Sequence, residues 1–283
     1  MKIGIIGMGF VGGATSEVLG RDHEIISYDK YKEPYKNSSN LSNAEVIFIC
    51  VPTPEKKTGE IDLSIIEKTL DLLKDLTMNQ EAKPLIVIRS TCVPGTSEKL
   101  AEKYPFNFAS NPEFLREKHA KKDMKNTQRI ILGTNSEEDK IKLLETYKPV
   151  FPNAEYVCVN NKTAEMIKYA SNTMLAGQIA LANEIYQICE TLGIDYENIR
   201  KALLIDKRIA RNINVPGPDG DLGFGGKCFP KDLKAIMFSS EEKGYNPKLL
   251  KEIWELNERL RKDKDWLNII GATSENNNFE NNN

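Results

Sequence analysis

Histidine is nearly absent from this sequence: His23 and His119 are the only two in 283 residues. That scarcity weakens every mechanism built on a histidine base, including the hydride transfers that lean on one. No CxxC pair occurs, and the five cysteines (Cys50, Cys92, Cys158, Cys189 and Cys228) are odd in number and widely spaced. Neither a disulfide framework nor a zinc site is suggested; no metal is expected, and a reducing cytoplasm fits. No apolar run approaches the ~20 residues that a membrane-spanning helix needs. The first residues, Met1-Lys2-Ile3-Gly4-Ile5-Ile6-Gly7, are too short and too glycine-interrupted for a signal peptide. A net charge of -2 leaves no global basic field for nucleic acid. No internal repeat is strong enough to use. The rest of the composition, 40% hydrophobic and 28% charged, is that of an ordinary soluble protein long enough for two domains.

What is present begins at the N-terminus. Lys2 to Ile6 reads as a short buried strand, Gly7-Met8-Gly9-Phe10-Val11-Gly12 follows, and Ala14 to Leu19 reads as a helix. The next strand, Glu24 to Asp29, ends in an acid. A G-x-G-x-x-G turn between strand and helix, with an acid soon after, points to a dinucleotide site. The glycines admit a pyrophosphate to the helix N-terminus, whose dipole and free N–H groups favour an anion. Asp29 is placed to accept hydrogen bonds from the adenosine ribose and to repel a 2′-phosphate, which favours NAD over NADP.

Further β-α units follow. Tyr31 to Asn43 reads as a polar loop, Ala44 to Val51 as a buried strand ending at Pro52-Thr53-Pro54, and Asp62 to Leu76 as a helix. Pro84 to Ile88, Phe106 to Ala109, Arg129 to Gly133 and Glu155 to Val159 are strands; Thr96 to Lys103 and Glu137 to Tyr147 are helices. The fold class expected is α/β: an N-terminal Rossmann-type parallel sheet over residues 1–160, with its ligand at the carboxyl ends of the strands. The loops at 7–12, 51–54, 90–96 and 110–117 all fall at such ends.

From Lys162 the apolar period becomes 3.6, which predicts an all-α second domain over 161–272 and a disordered tail over 273–283. Thr163 to Leu192 is one long helix stopped by Gly193; Tyr196 to Leu204, Lys231 to Ser240 and Pro247 to about Trp266 are three more. On the long helix Glu165, Lys168 and Asn172 share a face. Lys168 and Asn172, one turn apart, are suited to hold a hydroxyl or a developing oxyanion. The stretch Gly223-Phe224-Gly225-Gly226-Lys227-Cys228-Phe229-Pro230-Lys231-Asp232 places a cysteine where Pro230 opens a helix. Between Lys227 and Lys231, that setting can draw a thiol pKa from about 8.5 to roughly 3.5–7.5. Asp232, one turn on, is near enough to handle a proton or orient a water.

Together these pieces resemble the nucleotide-sugar dehydrogenases, above all the UDP-glucose 6-dehydrogenases. The resemblance rests on GMGFVG at 7–12, VPTP at 51–54, ST-VPGT around 90–96, NPEFLRE at 111–117, AEMIKYASNTMLA at 164–176, Arg208-Ile209 and GFGGKCFPKD at 223–232. It implies a double oxidation of a primary alcohol to an acid with two NAD per substrate. By the match Cys228 is the nucleophile, Lys168 and Asn172 steady the substrate oxygen, Asp232 and Thr91 position a water or move its proton, and Glu113 is a general acid/base. The cofactor site implied is Gly7, Gly9, Phe10, Val11, Gly12, Asp29, Val51, Pro52, Thr53, Pro54, Ser90, Thr91, Glu117 and Lys231. The substrate site implied is Glu113, Phe114, Leu115, Lys168, Asn172, Arg208, Phe224 and Gly225, with Arg208 reaching the substrate of a neighbouring subunit in a homodimer. UDP-glucose leads among substrates, ahead of GDP-mannose or a UDP-N-acetyl sugar. Three departures stand out: Lys227 where a small residue is usual, Ala210 where a glycine is usual, and a third, C-terminal domain that these residues do not span, from which a weak KM is expected. Two other readings stay open, a β-hydroxyacid-type dehydrogenase and a non-catalytic NAD-binding relic.

Overall fold

The computed structural model describes residues 1–209 and 212–275; Ala210 and the tail beyond Glu275 lie outside the described residues. The chain forms two compact units. Of the described residues, the first holds Met1–Thr53 and Asp62–Lys168; the second holds Pro54–Ile61 and those from Tyr169 to Glu275.

In the first unit, β1 (Lys2–Ile6), α1 (Phe10–Leu19), β2 (Glu24–Tyr28), β3 (Val46–Ile49), α2 (Ser64–Leu76) and β4 (Leu85–Ile88) come first. Then follow α3 (Thr96–Lys103), β5 (Phe108–Ser110), α4 (Ala120–Lys125), β6 (Arg129–Gly133), α5 (Glu137–Tyr147) and β7 (Glu155–Val159). The strands form one seven-stranded sheet in the order β2-β1-β3-β4-β5-β6-β7. Every pair is parallel except β5 with β6. Val-Ile-Phe-Ile in β3 and Leu-Ile-Val-Ile in β4 are buried at every position, as central strands covered on both faces must be. One face packs Ile3, Ile5, Phe48 and Val87 against Val18, Met124 and Tyr147; the other packs Ile47, Ile49 and Ile86 against Ile66, Leu70 and Leu73. The α/β class expected from the alternating pattern is therefore the one observed.

The long α6 (Asn161–Leu192) starts in the first unit and runs on into the second. There it is followed by α7 (Tyr196–Leu203), α8 (Phe229–Glu241) and α9 (Lys248–Leu260). Phe224, Leu233 and Met237 pack with Ala176 of α6 and with Ile253 and Trp254 of α9. The last helix is shorter than its pattern predicts. It ends at Leu260, because Arg261 takes an extended backbone and turns its guanidinium to the Asp263 carbonyl (2.9 Å) and Asp219 (2.6 Å). Trp266 sits instead in a separate short turn, with its ring against Trp254. The helix α4, in contrast, was not anticipated: six residues are too few to show a period. Of the expected tail, Thr273 pairs with Glu55, Ser274 donates to the Glu55 carbonyl (2.8 Å) and Glu275 meets Lys57.

Candidate active site

The sheet order reverses direction at β1, with β2 on one side and β3 on the other. Ligands of open α/β sheets bind at the carboxyl ends beside such a reversal, and the glycine turn lies there. Gly7 has a φ of +89°, and a Cβ on it would meet the Cys50 carbonyl oxygen at 2.8 Å. A Cβ on Gly12 would collide with the Gly7 carbonyl, whereas one on Gly9 would meet nothing within 4 Å. Two glycines thus let strand, turn and helix close up, and the third leaves open space over the start of α1. Gly9 caps that helix without any side-chain hydrogen bond, so its first turn keeps amides for an anion. Asp29 shapes the turn: Oδ2 accepts from Met8 N (2.7 Å) and Oδ1 from Tyr31 N (2.9 Å). Lys32 donates to the Met8 carbonyl (2.9 Å). These features fit a dinucleotide, with each Asp29 oxygen retaining a lone pair for a ribose hydroxyl.

At the ends of β3 and β4, Ser90 donates to the Val51 carbonyl (2.7 Å) and Thr53 to the Thr91 carbonyl (2.8 Å), which joins the 51–54 and 90–96 loops. Cys50 belongs to the core, and burial pushes its thiol up to about 12. Glu113 and Lys168 are brought together: Lys168 Nζ lies 2.7 Å from the Glu113 carbonyl and 3.2 Å from Oε1, while Oε2 accepts from Leu115 N (2.6 Å). Glu117 begins an exposed turn. Phe114 carries Arg129 and Lys168 near its ring, at 4.5 and 5.4 Å.

Glu165, on the same helix face, turns out to serve structure. It accepts from Gly95 N (2.6 Å), Ser97 N (2.8 Å) and Ser97 Oγ (2.7 Å), so it caps α3 with a side chain from α6. Burial raises its pKa, against the lowering effect of those donors.

In the second unit the cysteine loop is held from several directions. Gly223 N donates to Asn183 Oδ1 (3.0 Å), and the Asn257 carboxamide bonds both the N–H (2.7 Å) and the carbonyl (3.0 Å) of Phe224. Gly226 N points between the two oxygens of Asp265 (3.0 and 3.1 Å). Gly223 and Gly226 have φ of +69° and +76°, and a Cβ on Gly225 would strike Arg261 and Asp265. Phe224, expected on the substrate, puts its ring into the core at 3% exposure, edge-on to Phe229. Only its backbone, already taken by Asn257, faces the loop. Arg208 is exposed and its guanidinium is held by Asp206, two residues away.

Cys228 caps α8, with Pro230 in the first turn, and its carbonyl accepts from Asp232 N (2.9 Å). Asp232 is 1% exposed. Its Oδ2 accepts from Asn172 Nδ2 (2.5 Å) and its Oδ1 from Lys231 Nζ (2.7 Å). A carboxylate in the first turn of a helix is further favoured by the helix dipole. Three of the anticipated residues thus form one buried cluster, one turn after the cysteine. The residues that grip its loop (Asn183, Asn257, Arg261 and Asp265) were missed, since each acts from far along the chain. Nearby, burial raises the Glu55 pKa against the pull of Lys234 at 2.7 Å.

Known proteins are similar to this chain in sequence and fold. Residues 30–151 match the NAD binding domain of the UDP-glucose/GDP-mannose dehydrogenase family, and residues 162–259 match its central domain. The UDP-glucose 6-dehydrogenase of Rickettsia bellii is 39% identical over 236 residues, 81% of this chain and 53% of that protein. The chain therefore spans about half the length of that relative. The Bacillus subtilis protein YtcA is 31% identical over 299 residues, 91% of this chain and 68% of that one. The structure of a UDP-glucose dehydrogenase from the archaeon Pyrobaculum islandicum superposes with a TM-score of 0.82 at 29% identity, over 91% of this chain and 68% of that chain. With both domain matches and a relative covered over two thirds of its length, the chain belongs to the UDP-glucose/GDP-mannose dehydrogenase family.

Proposed function

We propose that this chain oxidises the C6 primary alcohol of a nucleotide sugar, UDP-glucose first among them, to the carboxylate in two steps through Cys228. The observation that carries the proposal is the Asn172–Asp232–Lys231 cluster one helical turn after Cys228. A structural cysteine needs no buried, doubly bonded carboxylate beside it. NAD held by the glycine turn and Asp29 would supply the hydride acceptor for both oxidations. In the first, C6 loses a hydride, its hydroxyl proton passes to solvent, and the alcohol becomes an aldehyde. The Cys228 thiolate then adds to the aldehyde carbon and its oxygen takes up a proton, giving a thiohemiacetal. The second oxidation removes C6–H as hydride and the hydroxyl proton, leaving a thioester. Water adds, the C–S bond breaks, and the acid and the thiol are released. Lys168 and Asn172 steady the oxyanion that forms at addition and hydrolysis, where a pre-placed donor contributes about 2.7–4 kcal/mol. Asp232 and Thr91 position the hydrolytic water, and Glu113 exchanges protons beside the thioester.

A free catalytic thiol fits a reducing compartment such as the cytoplasm. A homodimer is part of the proposal: Met174, Leu181 and Ile188 recur every seven residues on α6 and are 71%, 63% and 50% exposed. Such an apolar stripe on a helix is the face that a second copy covers. The decisive measurement is NADH formed per UDP-glucose consumed, with the oxidised product identified. Two is expected; one would remove the thioester pathway and favour a β-hydroxyacid-type enzyme.

A further inference from the structure

A cavity of about 290 Å³ lies in the first unit, where the turn after β5 meets the connection from α4 to β6. Its charges do not balance. Two carboxylates line it, and each already has a cation. Asp123 is gripped by Arg116, through Nε (2.9 Å) and Nη2 (2.7 Å), which holds its carboxyl down at about 2. Glu113 has Lys168. Two arginines also line it, Arg89 and Arg129, and neither makes an ion pair among the described residues. Arg129 is exposed and rests over the Phe114 ring.

Arg89 is the telling residue. It is 5% exposed, and among the described residues its guanidinium meets only uncharged groups: Asn111, the Tyr147 hydroxyl (3.3 Å) and the Met124 sulfur (3.4 Å). Its Nε is buried with no acceptor. A buried cation without a counter-charge is costly, and one whose donors are incompletely used is costlier. An anion in the cavity it lines removes that cost.

We infer that this cavity binds a small organic oxyanion, a phosphate monoester or a carboxylate, with its charged end toward Arg89 and Arg129. The size favours a ligand with an uncharged body: at about 30 Å³ per water, the space exceeds what a bare phosphate fills. Phe114 and Ile130 supply an apolar wall for that body. The geometry of two arginines suits oxyanions, which guanidinium groups bind through paired hydrogen bonds. The cavity shares Glu113, Phe114 and Leu115 with the proposed substrate site, but Arg89 and Arg129 have no part in the oxidation chemistry proposed at Cys228.

Inorganic phosphate and acetate, titrated separately into the full chain by calorimetry with saturating NAD present, test the site and tell phosphoryl from carboxylate ligands. NAD keeps the glycine turn occupied during the titration. Binding of one anion is expected, weakened about tenfold or more in Arg129→Gln and in Arg89→Gln, with NAD affinity unchanged in Arg129→Gln. Arg129 is exposed, so that variant remains informative if Arg89→Gln fails to fold. Absence of binding by both anions, equal affinity in wild type and Arg129→Gln, or full displacement of the anion by NAD would each overturn the assignment.

Discussion

Lys168 donates to Glu113 twice, to its backbone carbonyl and to its carboxylate, with both side chains below 8% exposure. A buried pair of this kind contributes little net stability, but breaking it strands a charge, at about 3–5 kcal/mol. Lys168→Met should therefore destabilise the chain strongly in urea, while Lys168→Met with Glu113→Gln should recover a large part of the loss. Simple additivity of the two substitutions would mean that the contact carries no coupling. Both variants should also lose acid formation, by the roles proposed for these residues.

In the proposed mechanism Asp232 serves hydrolysis and not the two oxidations. Asp232→Asn keeps the shape but removes the carboxylate that Lys231 and Asn172 hold. Acid release should fall about 10²-fold or more, and mass spectrometry of the quenched protein should show the sugar acyl group on Cys228. Cys228→Ser should show no such adduct and form no acid. An unmodified thiol in Asp232→Asn, with hydrolysis slowed, would argue that Asp232 acts before the thioester.

Glu165 gives a dependence on pH that can be signed. Burial raises its folded-state pKa above the ordinary carboxyl range. The folded state then holds its proton more tightly than the unfolded chain, so this group's contribution is greatest below the unfolded pKa and is lost as pH rises through the folded one. Glu165→Gln removes that dependence. The stability of wild type relative to Glu165→Gln should thus grow as the pH is lowered toward 4.5, measured by urea melts across the range. At neutral pH the variant should still be less stable by about 1–3 kcal/mol, because an amide cannot accept from Gly95, Ser97 N and Ser97 Oγ together.

The stripe on α6 is tested by charge. Leu181 is 63% exposed in the single chain, so Leu181→Glu should leave the fold intact. It should halve the mass seen by light scattering if that face joins two copies. An unchanged mass would place any association elsewhere.

Much of this was legible from local pattern. The glycine turn, the acid at the end of the second strand and the buried runs at Val46 and Leu85 carry their structure in a few consecutive residues, and the sheet formed as their alternation with helices predicted. Cys228 as the cap of α8, with Asp232 one turn later, follows from Pro230 and the helix period. Glu165 was legible as a residue on the face of Lys168 and Asn172 but not as a cap for α3, because its partners lie about seventy residues earlier. The end of α9 was overrun for a similar reason: its apolar period continues to Trp266, but Arg261 turns extended and its guanidinium meets Asp219, 42 residues earlier.

The sequence by itself determined which groups are present and which of them ride on one turn of backbone: the glycines at the start of α1, Lys168 and Asn172 on α6, and Cys228 with Asp232 on α8. Those relations depend on backbone period alone. Tertiary structure decided what each group is bonded to. It gave Lys168 to Glu113 and Asn172 to Asp232, put the Phe224 ring in the core, and left Arg89 buried without a counter-charge among the described residues. Hydrogen bonds and burial are settled by residues far apart in sequence, and no local spacing records them.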